Sequence, residues 1–168
     1  MVISRFKYLL IFVVSVLLQV VIFNNFLIAK LVSPFFYILF IVLLPFETPR
    51  SLLLLLSLAL GITIDLFTNT PGVHASACLL IGFLRPGILD LISTRETLES
   101  ASTPRVKSMG FNWFATYLTF MVVIHHLFLF FIEAFTFQGF FITLLRVILS
   151  SILSIVLILL SQFLIFRN

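Results

Sequence analysis

The chain of 168 residues is 62% hydrophobic, 15% aromatic and only 10% charged, with a mean hydropathy of +1.30 and a formal charge of +4. An average soluble domain is about 25% charged, and so few charges would leave apolar patches that a water-exposed monomer does not tolerate, so the solvent for most of this chain is lipid. Disordered, collagen-like and disulfide-scaffold classes fall away together: apolar content is too high, glycine has no period, and Cys78 is alone.

Arg5 and Lys7 precede an uncharged run from Tyr8 to Ala29. A signal-peptide core is about 7–15 residues followed by a small-residue cleavage site, so this longer run is expected to remain as the first membrane span, near 6–23. Crossing the hydrocarbon core takes about 20 helical residues at about 1.5 Å each. Further uncharged runs place spans near 32–46, 51–67, 72–91, 112–134 and 140–166, the second and third of them short. Thr68-Asn69-Thr70-Pro71-Gly72 joins the third span to the fourth, and Pro and Gly stop one helix and start the next. That pair is a tight antiparallel hairpin. The expected fold is all-α: one transmembrane domain over 1–168, a polytopic integral membrane protein built as a six-helix bundle.

The longest polar stretch, 93–107, is a loop that mixes Arg95, Glu96, Glu99, Arg105 and Lys107 with Ser and Thr. With the N-terminus inside, Arg5, Lys7, Arg50, Arg95, Arg105, Lys107 and Arg167 all fall on the cytoplasmic side, and the outer loops hold only Lys30. The positive-inside rule then puts both termini and the 93–107 loop in the cytoplasm. Scattered at the ends of apolar runs, these cations read as topology signals and not as a nucleic-acid surface.

Polar residues inside the spans recur at steps of 3, 4 or 7, which gathers them on one helix face. Ser4, Tyr8, Ser15 and Gln19 form such a line in the first span, Ser57, Gly61 and Asp65 in the third, and His74, Cys78 and Arg85 in the fourth. The fifth carries Asn112, Thr116, Thr119, His126 and Glu133, and the sixth Thr143, Arg146, Ser150, Ser154 and Ser161. Small and hydroxyl residues at this spacing let helices approach and hydrogen-bond across an interface. A compact bundle with an inward polar seam is expected.

Each charge at the bilayer centre costs about 2.5–3.5 kcal/mol on insertion scales, so Asp65, Arg85, Glu133 and Arg146 are expected to be paired or near an interface. Depth along the spans suggests an outer cluster of Arg146 with Glu133 or Asp65. Arg85, low in the fourth span, is placed to snorkel to the headgroups near Asp90. This set reads either as an ion-pair network or as the lining of a cavity for a ligand or partner. No nucleophile elbow, His-Glu-xx-His or glycine-rich phosphate motif accompanies the carboxylates, so no catalytic residue, cofactor or metal is assigned. His125 and His126 point about 100° apart on a helix, so one belongs in the bundle and one at its edge; Cys78 reads as a small buried residue.

The segment Leu60-Gly61-Ile62-Thr63-Ile64-Asp65-Leu66-Phe67, followed by Pro71-Gly72-Val73-His74 and a small-residue helix ending at Phe83-Leu84-Arg85, resembles the signature of the rod shape-determining MreD family. The preceding Pro45-Phe46-Glu47-Thr48-Pro49-Arg50 is similar to the Bacteroidetes-type version. His125, His126 and Arg146 fall outside that motif. The resemblance implies a non-enzymatic subunit of the bacterial inner membrane, a scaffold for MreC and, through it, for MreB, RodA and a penicillin-binding-protein synthase that build lateral peptidoglycan. It also implies a fold similar to the substrate-binding subunit of energy-coupling-factor transporters, which supplies the alternative function of a vitamin-type transport subunit. Residues implied in structure or partner contact are Gly61, Asp65, Pro71, Gly72, His74, Arg85, His126, Glu133 and Arg146. An intramembrane hydrolase is a third class, in which activity would depend on Asp65 or Glu133.

Overall fold

The computed structural model describes residues 2–25, 32–99, 101–135 and 139–164, without the side chains of 2–5 and 99. Lys30, Arg167 and the side chains of Ser4 and Arg5 lie outside that set. Helices are α1 (Val2–Val21), α2 (Ile38–Leu43), α3 (Arg50–Thr68), α4 (Val73–Ile92), α5 (Arg95–Glu99), α6 (Val106–Met109), α7 (Phe111–Ala134) and α8 (Phe140–Leu164). The chain is an all-helical membrane protein, with no strand among the described residues. Among the described residues five helices, α1, α3, α4, α7 and α8, are long and apolar enough to cross a bilayer. The 93–107 stretch is not simply a loop, since it carries α5 and the start of α6.

The second expected span is different. Of residues 32–46, only the six of α2 are helical. Pro34 lacks an amide hydrogen and restricts Ser33 before it, and Pro45 bars continuation past Leu44. Hydropathy alone cannot register this, because the broken stretch is as apolar as its neighbours.

This segment is the centre of the molecule. Every residue from Tyr37 to Leu43 is buried, and α2 touches α1, α3, α4 and α7 around it. Backbone without a helix is tolerated at membrane depth only where protein satisfies its polar groups. Here the neighbours supply the partners. Phe36 N–H donates to Gln19 Oε1 (2.8 Å), and Gln19 Nε2 donates to Pro34 O (3.1 Å). Ser33 N–H and Phe35 N–H donate to Ser150 Oγ and Ser154 Oγ at 3.0 and 2.9 Å.

The long helices alternate in direction. The central segment starts against Gln19 near the end of α1 and returns to a cleft shared with Tyr8 and Leu9 at its beginning. The Phe46 and Trp113 rings meet at 6.0 Å, Phe46 N–H donates to Ser102 O, and Phe111 lies 6.2 Å from Phe163. The start of α1, the α2–α3 connection, the 93–107 stretch and the C-terminal end of α8 therefore share one end of the bundle.

Candidate functional site

The α3–α4 hairpin is held by Asp65. Its Oδ1 accepts from Thr70 Oγ1 (3.0 Å) and His74 N–H (2.9 Å), and its Oδ2 accepts from Gly72 N–H and Ala75 N–H, both at 3.0 Å. A carboxylate on the exposed amides at a helix start satisfies orphan donors and complements the helix dipole. The turn that permits this needs backbone with positive φ: Asn69 at 55° closes α3, and Gly72 at 87° opens α4 after the exposed Pro71. Gly61, one turn before Asp65, lies where α4 crosses. A Cβ there would stand 2.6 Å from His74 O and 2.7 Å from Ala75 N.

Asp65 is therefore not part of an ion-pair cluster with Arg146. Its four acceptor positions face α4, because the short turn brings that helix start directly over it. Glu133 and Arg146 do pair, at 3.5 Å, with side chains 42% and 27% exposed. Arg146 also stands 4.6 Å above the Phe130 ring.

A second set surrounds the central segment. The Tyr37 hydroxyl lies 2.7 Å from His74 Nδ1 and 3.0 Å from His125 Nε2. A hydroxyl has one proton, so one imidazole accepts from it and the other donates to it. His126 Nδ1–H donates to Val122 O at 2.8 Å, which leaves Nε2 to accept from Ser154 at 3.1 Å. Ser154 thus ties α7 to the Phe35 amide. Phe35 packs on all three imidazoles, at 5.4 Å from His74, 5.8 Å from His125 and 5.1 Å from His126.

Both His125 and His126 are fully buried, which corrects the expectation of one histidine at the bundle edge. The reason is the central segment: Tyr37 takes one ring and Ser154 the other, and Phe35 fills the angle between them. Among the described residues no group of His, Cys, Asp and Glu is disposed to hold a metal. Cys78 is free and buried, and His125 Nδ1 is sealed without a partner.

Arg85 does not snorkel. It is 1% exposed and closes the far end of α2: Nε donates to Tyr117 Oη (2.7 Å), Nη1 to Pro45 O (3.4 Å) and Nη2 to Leu44 O. Tyr117 in turn donates to Val42 O at 3.4 Å. A cation on the last carbonyls of a helix is matched to its dipole, and the guanidinium fork reaches several acceptors at once. Asp90, the expected neighbour, is exposed.

The inward polar seam holds for most of the lines on α1, α3, α4 and α8, where Ser15, Gln19, Ser57, Asp65, His74, Arg85, Thr143, Ser150, Ser154 and Ser161 are buried, while Tyr8 and Arg146 in the same lines are only half-buried. It fails for most of α7. Asn112, Thr116 and Thr119 are exposed, and Thr116 and Thr119 hydroxyls donate to the carbonyls four residues back. The two threonines line an outward cleft of about 430 Å³ with Ala115, Phe120 and Val123. Two heptads drift only about 40° around a helix, so Asn112 and His126 share a face and differ in what covers it: Ser154 and Phe35 meet His126, while Asn112, Thr116 and Thr119 are left exposed.

No family model, curated protein or solved structure matches this chain.

Phe35, Tyr37 and Tyr117 are central residues that the sequence reading did not single out. The available signal was tyrosine: the chain has only three, and Tyr37 and Tyr117 lie well inside apolar runs. A buried phenol needs a hydrogen-bond partner, so each marks a polar contact.

Proposed function

We propose that this chain is a non-enzymatic scaffold subunit of MreD type in the bacterial inner membrane. In this reading it crosses six times with both termini cytoplasmic, and it holds MreC and, through it, the lateral-wall machinery of MreB, RodA and a penicillin-binding-protein synthase. The observation that supports it most is the use of the polar side chains. Gln19, Ser150, Ser154 and Arg85 are committed to the backbone of the central segment, and His74 and His125 to the hydroxyl of its Tyr37. Such a core holds a shape and leaves the outward surfaces to act. Residues 32–37 extend at most about 20 Å and α2 adds about 9 Å, together close to the roughly 30 Å of hydrocarbon. That length supports a sixth crossing, and an even number returns both termini to one side.

The α7 cleft is where a partner's single transmembrane helix would pack. Outward hydroxyls beside Ala115 suit a close helix contact better than acyl chains, which offer no polar partner. A photo-crosslinking residue at Thr119 in native membranes should capture MreC or RodA. Capture of an ATPase-coupled transport module would overturn the scaffold reading. It would favour the vitamin-type transport subunit of energy-coupling-factor fold, a reading supported by the discontinuous helix at mid-bundle, since such breaks often build substrate sites.

A further inference from the structure

The two imidazoles on Tyr37 carry an inference independent of the scaffold reading. His74 Nδ1, the Tyr37 hydroxyl and His125 Nε2 form a chain of two hydrogen bonds, which ends at His125 Nδ1, sealed with no partner. Two protons satisfy this chain. With His74 carrying its own proton on Nε2, the phenol donates to His74 Nδ1 and His125 Nε2–H donates to the phenol oxygen, so every donor along the chain has an acceptor. Only a lone pair is left bare, at His125 Nδ1.

A third proton has no matched place. On His74 Nδ1 it reverses both bonds and drives a proton onto the sealed His125 Nδ1, and on His125 it lands there directly. If both rings donate to the phenol oxygen instead, the phenol's own O–H is stranded. Each arrangement leaves a buried donor unmatched, so the extra proton is accommodated by giving up a bond to Tyr37.

The surroundings offer no relief. From α3, the Asp65 carboxylate draws positive charge toward His74, but its four acceptor positions are already filled. Cys78 on α4 is a buried thiol and a weak acceptor. On α7, His126 is committed to Val122 O and Ser154. From α8, Arg146 lies on the Phe130 ring beside His126 and brings donors only.

The proton has one way in. His74 is 5% exposed, in the first turn of α4 next to the exposed Pro71 and Gly72, whereas His125 and His126 are at 0%. Tyr37, just before α2, ties the central segment to α4 and α7 at once, so a bond lost there frees the segment from one of its walls.

We propose that Tyr37, His74 and His125 form an acid-released latch on the central segment, closed while both imidazoles are neutral and opened by one proton that enters at His74.

The test uses Cys78, the chain's only cysteine, which is buried one turn beyond His74 and within electrostatic reach of Tyr37. Its reaction with dithiodipyridine, a disulfide active in acid, is followed for the full chain in phosphatidylcholine nanodiscs and divided by the rate for a free cysteine peptide at the same pH. The opened state binds the extra proton, so the corrected rate should gain about tenfold per pH unit below about 6.5, where a free histidine charges, and about thirtyfold by about pH 5. His74→Asn offers an amide oxygen to the Tyr37 hydroxyl and cannot charge, so its rate should not change with pH. His126→Gln, whose amide can keep Ser154, should retain the wild-type slope. Nitrogen-15 NMR of the wild-type histidine rings should show Nδ1 bare on both His74 and His125 at neutral pH. A wild-type rate that ignores pH, an acid response that survives His74→Asn or is lost in His126→Gln, or a proton on either Nδ1 at neutral pH would overturn the proposal.

Discussion

Removing the Asp65 carboxylate should loosen the hairpin through α4, not through any arginine. Asp65→Ala leaves the His74 and Ala75 amides, both in buried bonds, without acceptors, while the partly buried Gly72 amide can regain water. Each orphaned buried donor costs about 1–3 kcal/mol, so the expected loss is about 2–6 kcal/mol. Asp65→Asn is milder for a geometric reason. With its NH2 turned toward Oδ1's position, the amide oxygen keeps Gly72 and Ala75, and the Thr70 hydroxyl can rotate to accept. Only the His74 amide is then opposed by a donor, at about 1–3 kcal/mol, with a further 0.3–1 kcal/mol or so for the charge lost at a helix start. The assay is equilibrium unfolding of the purified chain in mixed micelles with increasing dodecyl sulfate, followed by helical circular dichroism. The order wild type, Asn, Ala is expected. Combining Asp65→Ala with Arg146→Leu should be additive, because the two sites share no partner. An Ala variant within about 0.5 kcal/mol of wild type, the range of an ordinary surface change, or rescue by Arg146→Leu, would refute the reasoning.

Gly61→Ala should destabilise by about 1–3 kcal/mol in the same assay, since the new methyl meets α4 backbone that cannot rotate away, a clash larger than the roughly 1 kcal/mol of helix propensity returned. Arg85→Leu and Tyr117→Phe should each weaken the bundle and be strongly non-additive, with a coupling of about 0.5–3 kcal/mol, because one phenol links the guanidinium to Val42 O. Independent effects would contradict that link. Glu133→Gln should shift stability by less than about 1 kcal/mol, as its pair with Arg146 is partly exposed; a larger loss would mean that the pair holds α7 to α8.

Much of this architecture is legible in the residue order. Apolar length placed the five long helices within a few residues, and the Pro71-Gly72 turn, Gly61 and Asp65 marked the hairpin that is observed. Periodicity turned the α1, α3, α4 and α8 polar lines inward correctly except at the half-buried Tyr8 and Arg146. Three features were hidden for physical reasons. Hydropathy reports transfer into lipid and not backbone conformation, so Val32–Phe46 read as a helix although Pro34 and Pro45 restrict it at both ends. Depth along a span reports height and not azimuth, so Asp65 and Arg146 looked like partners while facing different neighbours. And Arg85 was assigned to the headgroups because its acceptors are carbonyls of the central segment, which carry no signature in side-chain sequence.

The same limit explains the histidines. Two adjacent helical residues normally cannot both face a core, yet a non-helical chain wedged between α4, α7 and α8 creates interior on both sides. Tyr37 and Ser154, far apart in sequence, complete each ring's contacts. Only long-range packing could reveal that pairing.

The central claim is that helix side chains satisfy the broken segment's backbone inside the membrane. Amide hydrogen exchange at Phe35 and Phe36, followed by NMR in lipid nanodiscs, tests it most directly. Protection equal to that of the α4 and α7 interiors is expected, with selective loss at Phe35 in Ser154→Ala and at Phe36 in Gln19→Leu. Rapid exchange at both amides in the wild type, as in an open loop, would contradict it.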